Sequence, residues 1–559
     1  MQVKRYLLLF ILFIAGISYG QNVLSLEPYN GTAATELIAQ IKADTTANHG
    51  ILPDRVYELV GGQIYICQEQ FYVEAHQTLR LVSSNNEKAL IYLYPTGTGS
   101  NPQNPPGHFV RLRGGNLYMT NIALSGIFEL DPDAINNIQG AQLRVDNEGA
   151  SIYLDNCVFS NTSGQVIRTE ASTKTVKVTN SVFTNLGALT TSNFGAGKGI
   201  DLRVVSCDSL ILVNNTFTNY QDRVVRHYNV GTPLAGTGNI GYTLIDHNTF
   251  YNGMGFHGLL SLGNVGEKVI ITNNLFKDAF AAGEDSTDAT RYGEWANTGE
   301  KYPNGGNRMM WIFTAPNDTT EWDISNNFYA ISAEGQAYFN AHTSSPILEG
   351  SPLSWHINKR LGADSVKAFT KIPDPQLVKT QNLMTNLMEW YYSPTGGNKT
   401  KETGNFVLAR DDMDRKPLAF WINDLDASYQ TSSTAYTGAV NGYPAGDLNW
   451  FPTLKTKWEQ GIIIGVDEEF IPTEFVLEQN YPNPFNPSTT IKFSVPKAGI
   501  YSLRVFNVLG QEVAKVLNGE LNVGTHEATF NASALGSGVY FYNLTGNDVS
   551  ITKKMMLIK

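Results

Sequence analysis

Thr120-Asn121-Ile122-Ala123-Leu124, Asp155-Asn156-Cys157-Val158-Phe159, Thr179-Asn180-Ser181-Val182-Phe183, Val213-Asn214-Asn215-Thr216-Phe217, Asp246-His247-Asn248-Thr249-Phe250, Thr272-Asn273-Asn274-Leu275-Phe276 and Ser325-Asn326-Asn327-Phe328-Tyr329 are spellings of one phrase. Their last residues stand 35, 24, 34, 33, 26 and 53 positions apart. A fixed phrase with elastic spacing predicts a solenoid whose coils carry loops of different length. Alternating segments such as Thr175-Val176-Lys177-Val178 and Tyr242-Thr243-Leu244-Ile245 precede the phrase and read as strands. Asn tolerates left-handed backbone angles, and its amide can bond the same amide one coil away. Phe159, Phe183, Phe217, Phe250 and Phe276 should stack inside. The expected fold is all-β: a parallel β-helix with an N-terminal capping helix, followed by a small antiparallel β-sandwich.

Working outward, composition agrees with that reading. Charged residues are 16% of the chain and Gly numbers 51, which suits an all-β extracellular protein. The net charge of −11 disfavours nucleic-acid binding but leaves room for a local basic cleft. Cys67, Cys157 and Cys207 are too few, and odd in number, to make a disulfide framework. Residues 1–20 have the basic start, apolar run and small-residue end of a secretory signal peptide, with cleavage before Gln21. No later segment is apolar enough to span a membrane. Residues 21–54 form a cap, in which Leu37, Ile38 and Ile41 share one helical face. Coils fill 55–335, with long loops at Gly187 to Gly199, Gly231 to Gly241 and Ala279 to Gly306. In 336–464 the repeat fades and Trp355, Trp390, Trp421, Trp450 and Trp458 concentrate; this stretch should end the helix and pack back along it. Asp411, Asp412, Asp414, Asp424 and Asp426 offer hard oxygens that suit calcium, without the Gly and final Glu of an EF-hand loop. No other cofactor is indicated. Residues 465–474 read as a linker.

The last segment, 475–559, changes character. Leu477-Glu478-Gln479-Asn480-Tyr481-Pro482-Asn483-Pro484-Phe485-Asn486-Pro487-Ser488, then Asn507-Val508-Leu509-Gly510-Gln511-Glu512-Val513, Gly538-Val539-Tyr540 and Lys553-Lys554 are specific strings. They resemble the type A C-terminal sorting domain of the type IX secretion system. That resemblance implies a Gram-negative bacterium of the Bacteroidota or a neighbouring group. It also implies the type IX machinery as a partner, and export across the outer membrane, ending in release or attachment at the cell surface.

The coils resemble the pectin-lyase-like right-handed β-helix superfamily, which is rich in polysaccharide lyases and hydrolases. A lyase acting on an acidic sugar needs a base for the proton next to the carboxylate, and a cation for the developing charge. Such groups should occupy matching places on adjacent coils. Arg168 follows Phe159 by nine residues, and Arg226 follows Phe217 by nine. Leu259, beside His257, follows Phe250 by nine. Arg203 lies on the corresponding strand after an insertion, and Arg308 on another. Val225-Arg226-His227 resembles the arginine strand of chondroitinase B and alginate lyase relatives, in which a lysine on the preceding coil is the base. Counting back from Phe217 finds Ser206 at that place rather than a lysine.

Two functions are therefore expected as alternatives. The first is a secreted protein that acts on or binds extracellular polysaccharide. If it is an enzyme, it is a β-eliminating lyase with Arg203, Arg226, His227 and His257 lining the cleft, and with Arg168, Tyr292, Trp295 and Arg308 binding substrate. The second is a non-catalytic adhesin or glycan-binding scaffold, for which aromatic residues such as Tyr292 and Trp295 suffice as sugar platforms.

Overall fold

The computed structural model describes residues 22–95, 107–130, 139–187, 196–227, 238–281, 283, 289–315, 319–341, 352–392, 413–464, 475–546 and 549–559. The expected signal peptide lies outside them. Two compact units divide the chain, Met1–Ile463 and Ile464–Lys559.

In the first unit, large parallel sheets curl around one core. One sheet takes one strand per coil, in the order Val23–Leu26, Val56–Leu59, Thr78–Ser83, Asn116–Thr120, Ala150–Asp155, Thr173–Thr179, Cys207–Val213, Ile240–Asp246, Val265–Thr272 and Glu321–Ser325. The second sheet takes two further strands per coil. Its middle strands carry the Phe positions, as in Val182–Leu186, Thr216–Tyr220 and Thr249–Gly253. The following strands include Val110–Arg113, Lys198–Asp201, Val225–Arg226 and Leu260–Gly263.

The phrase that repeats in sequence divides its work between two neighbouring residues. Asn121, Asn156, Asn180, Asn214, His247, Asn273 and Asn326 hold positive φ between 51° and 60°. The next residue is buried and builds the ladder. Asn215 Nδ2 donates to Asn248 Oδ1 at 2.9 Å, Asn248 Nδ2 to Asn274 Oδ1 at 3.0 Å, and Asn274 Nδ2 to Asn327 Oδ1 at 2.8 Å. Inside it, Phe159, Phe183, Phe217, Phe250 and Phe276 stack with centroids 4.8 to 5.3 Å apart. A second asparagine column, not read from the sequence, turns the chain after the middle strand. Asn161, Asn185, Asn219 and Asn252 also have positive φ, and Asn219 Nδ2 donates to Asn185 Oδ1 at 2.7 Å.

The helix Leu37–Ala47 seats Leu37, Ile38 and Ile41 in the main core at the first coils. Beyond the coils, Phe369–Lys371 extends the second sheet. The chain then returns along the outward face of the middle strands. Asn382 O accepts from Asn252 Nδ2, Arg415 Nη1 donates to Asn185 O, and Leu418 N–H donates to Glu129. Leu418 and Trp421 cover Ile66, Tyr92, Ala123, Val158 and Val182. Residues 440–450 then run back over Asn273, Thr249 and Asn214. One flank of the stack is thereby sealed.

The second unit holds two antiparallel sheets around one core that includes Phe493, Leu503 and Tyr542. A strand at Glu512–Leu521 was not expected from the sequence. The string at Asn507 is an Asx turn: Asn507 Oδ1 accepts from the N–H of Leu509 and of Gln511, both at 3.0 Å. Gly510 takes φ +76° there, an angle a β-carbon would disfavour.

Candidate functional site

The third strand of each coil presents one outward column. Its register runs Tyr72, Arg111, Arg144, Arg168, Asp201, Arg226, Ser261 and Phe313. Outward side chains at matching places on adjacent strands are close neighbours, so four guanidiniums gather on one flank of an acidic protein.

Carboxylates at the strand ends fix their geometry. Asp146 accepts from Arg111 Nε at 2.7 Å and Nη2 at 2.9 Å, and lies 2.8 Å from Arg144 Nε. Burial would raise the Asp146 pKa, but Arg111 and Arg144 outweigh it and hold the carboxyl below its usual range. Glu170 takes Arg168 Nε at 2.6 Å, with Arg144 and Arg203 each 3.8 Å away. Asp201, fully buried, takes Arg226 Nη1 at 3.0 Å. Arg111, Arg144, Arg168, Arg203 and Arg226 thus share Asp146, Glu170 and Asp201. The flank remains cationic, and its guanidiniums are partly exposed.

His108 lies close enough to this flank to feel its charges. Burial, with the charges of Arg144, Arg111 and Arg168, lowers its pKa to about 4. It is therefore a neutral imidazole among cations at pH 7. No sequence motif marks it, although extending the column upstream to Val110-Arg111-Leu112-Arg113 would have reached it.

Counting from Phe was right for Arg168 and Arg226 and wrong between and beyond them. Asp201, not Arg203, occupies the column, and Arg203 follows the strand at φ +54°. A turn that Asp201 Oδ1 closes on the Arg203 N–H puts it there. Ser261, not Leu259, faces Arg226. Arg308 precedes the strand Ile312–Thr314 and is buried, paired with Glu300 at 3.0 Å. Trp295 is fully buried against Met309, Met310 and Phe313, so it offers no sugar platform. Tyr292 packs on that cluster, and its hydroxyl accepts from the Asn307 N–H at 2.9 Å.

The two histidines do not line an open cleft. His227 is buried, with Nδ1 3.0 Å from Leu262 O and Nε2 2.9 Å from Val205 O. Burial holds its pKa below the ordinary value. His257 is buried with Nδ1 2.9 Å from Asp222 Oδ1. Asp222 Oδ2 also meets Lys198 Nζ at 3.1 Å and Arg223 Nε at 3.4 Å. Burial pushes the Asp222 carboxyl up, but Arg223, His257 and Lys198 prevail and hold it well below its usual range. Lys198 and Arg223 lie on adjacent coils, since the Gly199 N–H donates to Arg223 O. A lysine does stand on the coil before the arginine strand. Lys198 stands 19 residues before Phe217 and three before the column residue Asp201, well upstream of Ser206. Burial lowers the Lys198 pKa, and Arg223 and Arg226 add to that against the pull of Asp222.

For the suggested calcium ligands, Asp411 and Asp412 lie outside the described residues. Asp414 accepts from the Asn382 N–H at 2.7 Å and pairs with Lys416, while Asp424 pairs with Lys379. Among the described residues no three His, Cys, Asp or Glu side chains gather as a metal site. Cys67, Cys157 and Cys207 are buried thiols.

The first unit is thus a protein of large, curled parallel β-sheets with an arginine-lined side. Residues 479–559 match the profile of the secretion system C-terminal sorting domain, the tail of type IX cargo. The protein is thus secreted across the outer membrane, to the cell surface or the extracellular space. No curated protein matches the chain. No helix among the described residues is long and apolar enough to cross a membrane.

Proposed function

We propose that the exported body is a right-handed parallel β-helix of the pectin-lyase-like kind, and that it holds an anionic extracellular polysaccharide along the arginine column. The column itself carries this reading. Neighbouring parallel strands lie about 4.8 Å apart, so Arg111 to Arg226 spans roughly 19 Å, with Asp201 between Arg168 and Arg226. Guanidiniums suit carboxylate and sulfate groups because their planar donors can bind two oxygens at once. The flank of the middle strands, by contrast, is covered by the returning chain.

Affinity for polygalacturonate, alginate and chondroitin sulfate, set against a neutral glucan, tests the proposal. Arg144→Gln with Arg168→Gln should weaken binding to the acidic polymers and reduce its salt dependence. Equal retention of wild type and double variant on every acidic polymer would refute it.

One observation favours a catalytic version. Lys198 and Arg223 converge on a single carboxylate oxygen. In β-elimination a base takes the proton from the carbon bearing the carboxylate. A double bond forms to the neighbouring carbon, the glycosidic C–O bond breaks, and the departing oxygen is protonated. Lys198 is the proposed base and returns its proton to the departing oxygen, with Arg223 and Arg226 steadying the carboxylate. Lys198 and Arg223 are each 3% exposed and held by Asp222, so the step requires both to be uncovered as substrate binds. The unsaturated product absorbs in the near ultraviolet. If wild type makes such a product and Lys198→Ala makes it equally fast, Lys198 is not the base. Binding with neither new absorbance nor new reducing ends identifies a scaffold instead.

A further inference from the structure

The arginine column is not open along its whole length. Arg144, Arg168 and Arg226 have side chains 26%, 29% and 18% exposed. The next two members of the same outward column, Ser261 and Phe313, are 1% and 2% exposed. Ser261 turns its hydroxyl back to His257 O at 3.3 Å, and Phe313 is covered by the insertion between Leu275–Lys277 and Ile312–Thr314. Its helix Ala289–Trp295 lays Trp295 against Phe313, with ring centroids 6.5 Å apart at 84°. Met309 and Met310 complete the plug.

The plug is built into the coil. Gly258 sits at φ +92°, and a β-carbon there would come within 2.8 Å of Met310 O and 3.5 Å of the Trp295 ring. Arg291, fully buried, donates from Nε to Phe256 O at 2.5 Å and from Nη2 to Gly283 O at 2.6 Å. The bond to Phe256 O ties the insertion to the stack, and the bond to Gly283 O braces the insertion on itself. At the opposite end the column finishes on Tyr72, whose ring lies under the guanidiniums of Arg113 at 3.8 Å and Arg111 at 5.5 Å.

We infer that the arginine flank is a blind groove that receives the end of an anionic polysaccharide chain, with the chain terminus against the plug beside Arg226 and the remainder leaving past Arg111 and Tyr72. This rests on the proposed function, since it concerns how the same flank engages its polymer. An internal stretch of a long chain would have to continue over Phe313, which the Trp295 cluster buries.

The test counts chain ends. Wild-type full-length protein is titrated with polygalacturonate in two size fractions, both much longer than the column, the shorter having about ten times more ends per mass. Terminal recognition predicts that half-saturation, expressed as mass of sugar, falls about tenfold with the shorter fraction, since affinity follows the molar concentration of ends. Alginate and chondroitin sulfate fractions are run alongside. Half-saturation at the same sugar mass for both fractions overturns the blind groove while leaving polysaccharide binding intact. Failure to bind any of the three polymers overturns the underlying function, and the inference with it. Trp295→Ala opens the closed end, so a folded variant should lose much of the dependence on ends. If it does not fold, the wild-type titration decides alone.

Discussion

Asn248→Ala tests the ladder that holds the coils in register. The Asn248 side chain is fully buried. Its Oδ1 accepts from the Asn215 N–H at 3.0 Å and from Asn215 Nδ2 at 2.9 Å. Its Nδ2 donates to Leu212 O, Asp246 O and Asn274 Oδ1. Truncation does not orphan all of these. Asn215 Nδ2 keeps Val178 O, and Asn274 Oδ1 keeps the Asn248 N–H. The Asn215 N–H loses its acceptor inside the stack. A buried donor left unsatisfied costs about 1–3 kcal/mol, and the lost amide donors add to it, so the expected loss is ~3 kcal/mol. The protein supplies its own control, because Ser181 occupies the same ladder place and its Oγ accepts from the Cys157 N–H at 3.0 Å. Asn248→Ser should therefore keep the essential acceptor and cost about half as much. Urea denaturation followed by tryptophan fluorescence measures both variants. The reasoning fails if Asn248→Ala shifts stability by under ~0.5 kcal/mol, or if Ser is as damaging as Ala.

Asp447 should make stability depend on pH. Burial raises its pKa to about 7, despite hydrogen bonds from Asn449 and Thr216. An unfolded Asp titrates near 3.9, so the folded state binds the extra proton between those values. The contribution is full below about pH 4, is lost as pH rises toward about 7, and amounts to at most about 4 kcal/mol. Asp447→Asn should flatten that slope in denaturation midpoints measured at pH 5 and pH 8, and an unchanged slope would contradict it. Arg291→Leu should release the insertion. Hydrogen bonds from a charged donor contribute about 1.5–3 kcal/mol each, so limited proteolysis should cut within residues 279–306 faster than in wild type. Unchanged cleavage there would show that the insertion is held by its apolar contacts alone.

The legible part of the candidate site was its periodicity. Arg168 and Arg226 could be placed in one column because their coils have equal lengths from the Phe to the third strand. The coil between them carries a longer loop, so Asp201 rather than Arg203 takes the column. In the next coil Ser261 lies two residues past the counted Leu259. His227, His257 and Trp295 read as surface chemistry from their residue types. In the fold His227 is buried against backbone carbonyls, His257 against Asp222, and Trp295 within the insertion's own apolar cluster, and residue type alone does not report such burial.

By itself the sequence determined the features that depend on neighbours along the chain. These are the left-handed turn at Asn180 or Asn214, the alternation of the strands, the inward Phe at a fixed step after the turn, and the sorting tail with its turn at Val508 to Gln511. Backbone sterics and side-chain periodicity act over a few residues, so a short string is enough to specify them. Only the tertiary structure decided which arginines align, which flank the returning chain seals with Leu418 and Trp421, and where Trp295 and Phe313 close the column. Those outcomes depend on register between coils and on burial by segments far away in the chain, and loops of unequal length remove any fixed offset from which to read them.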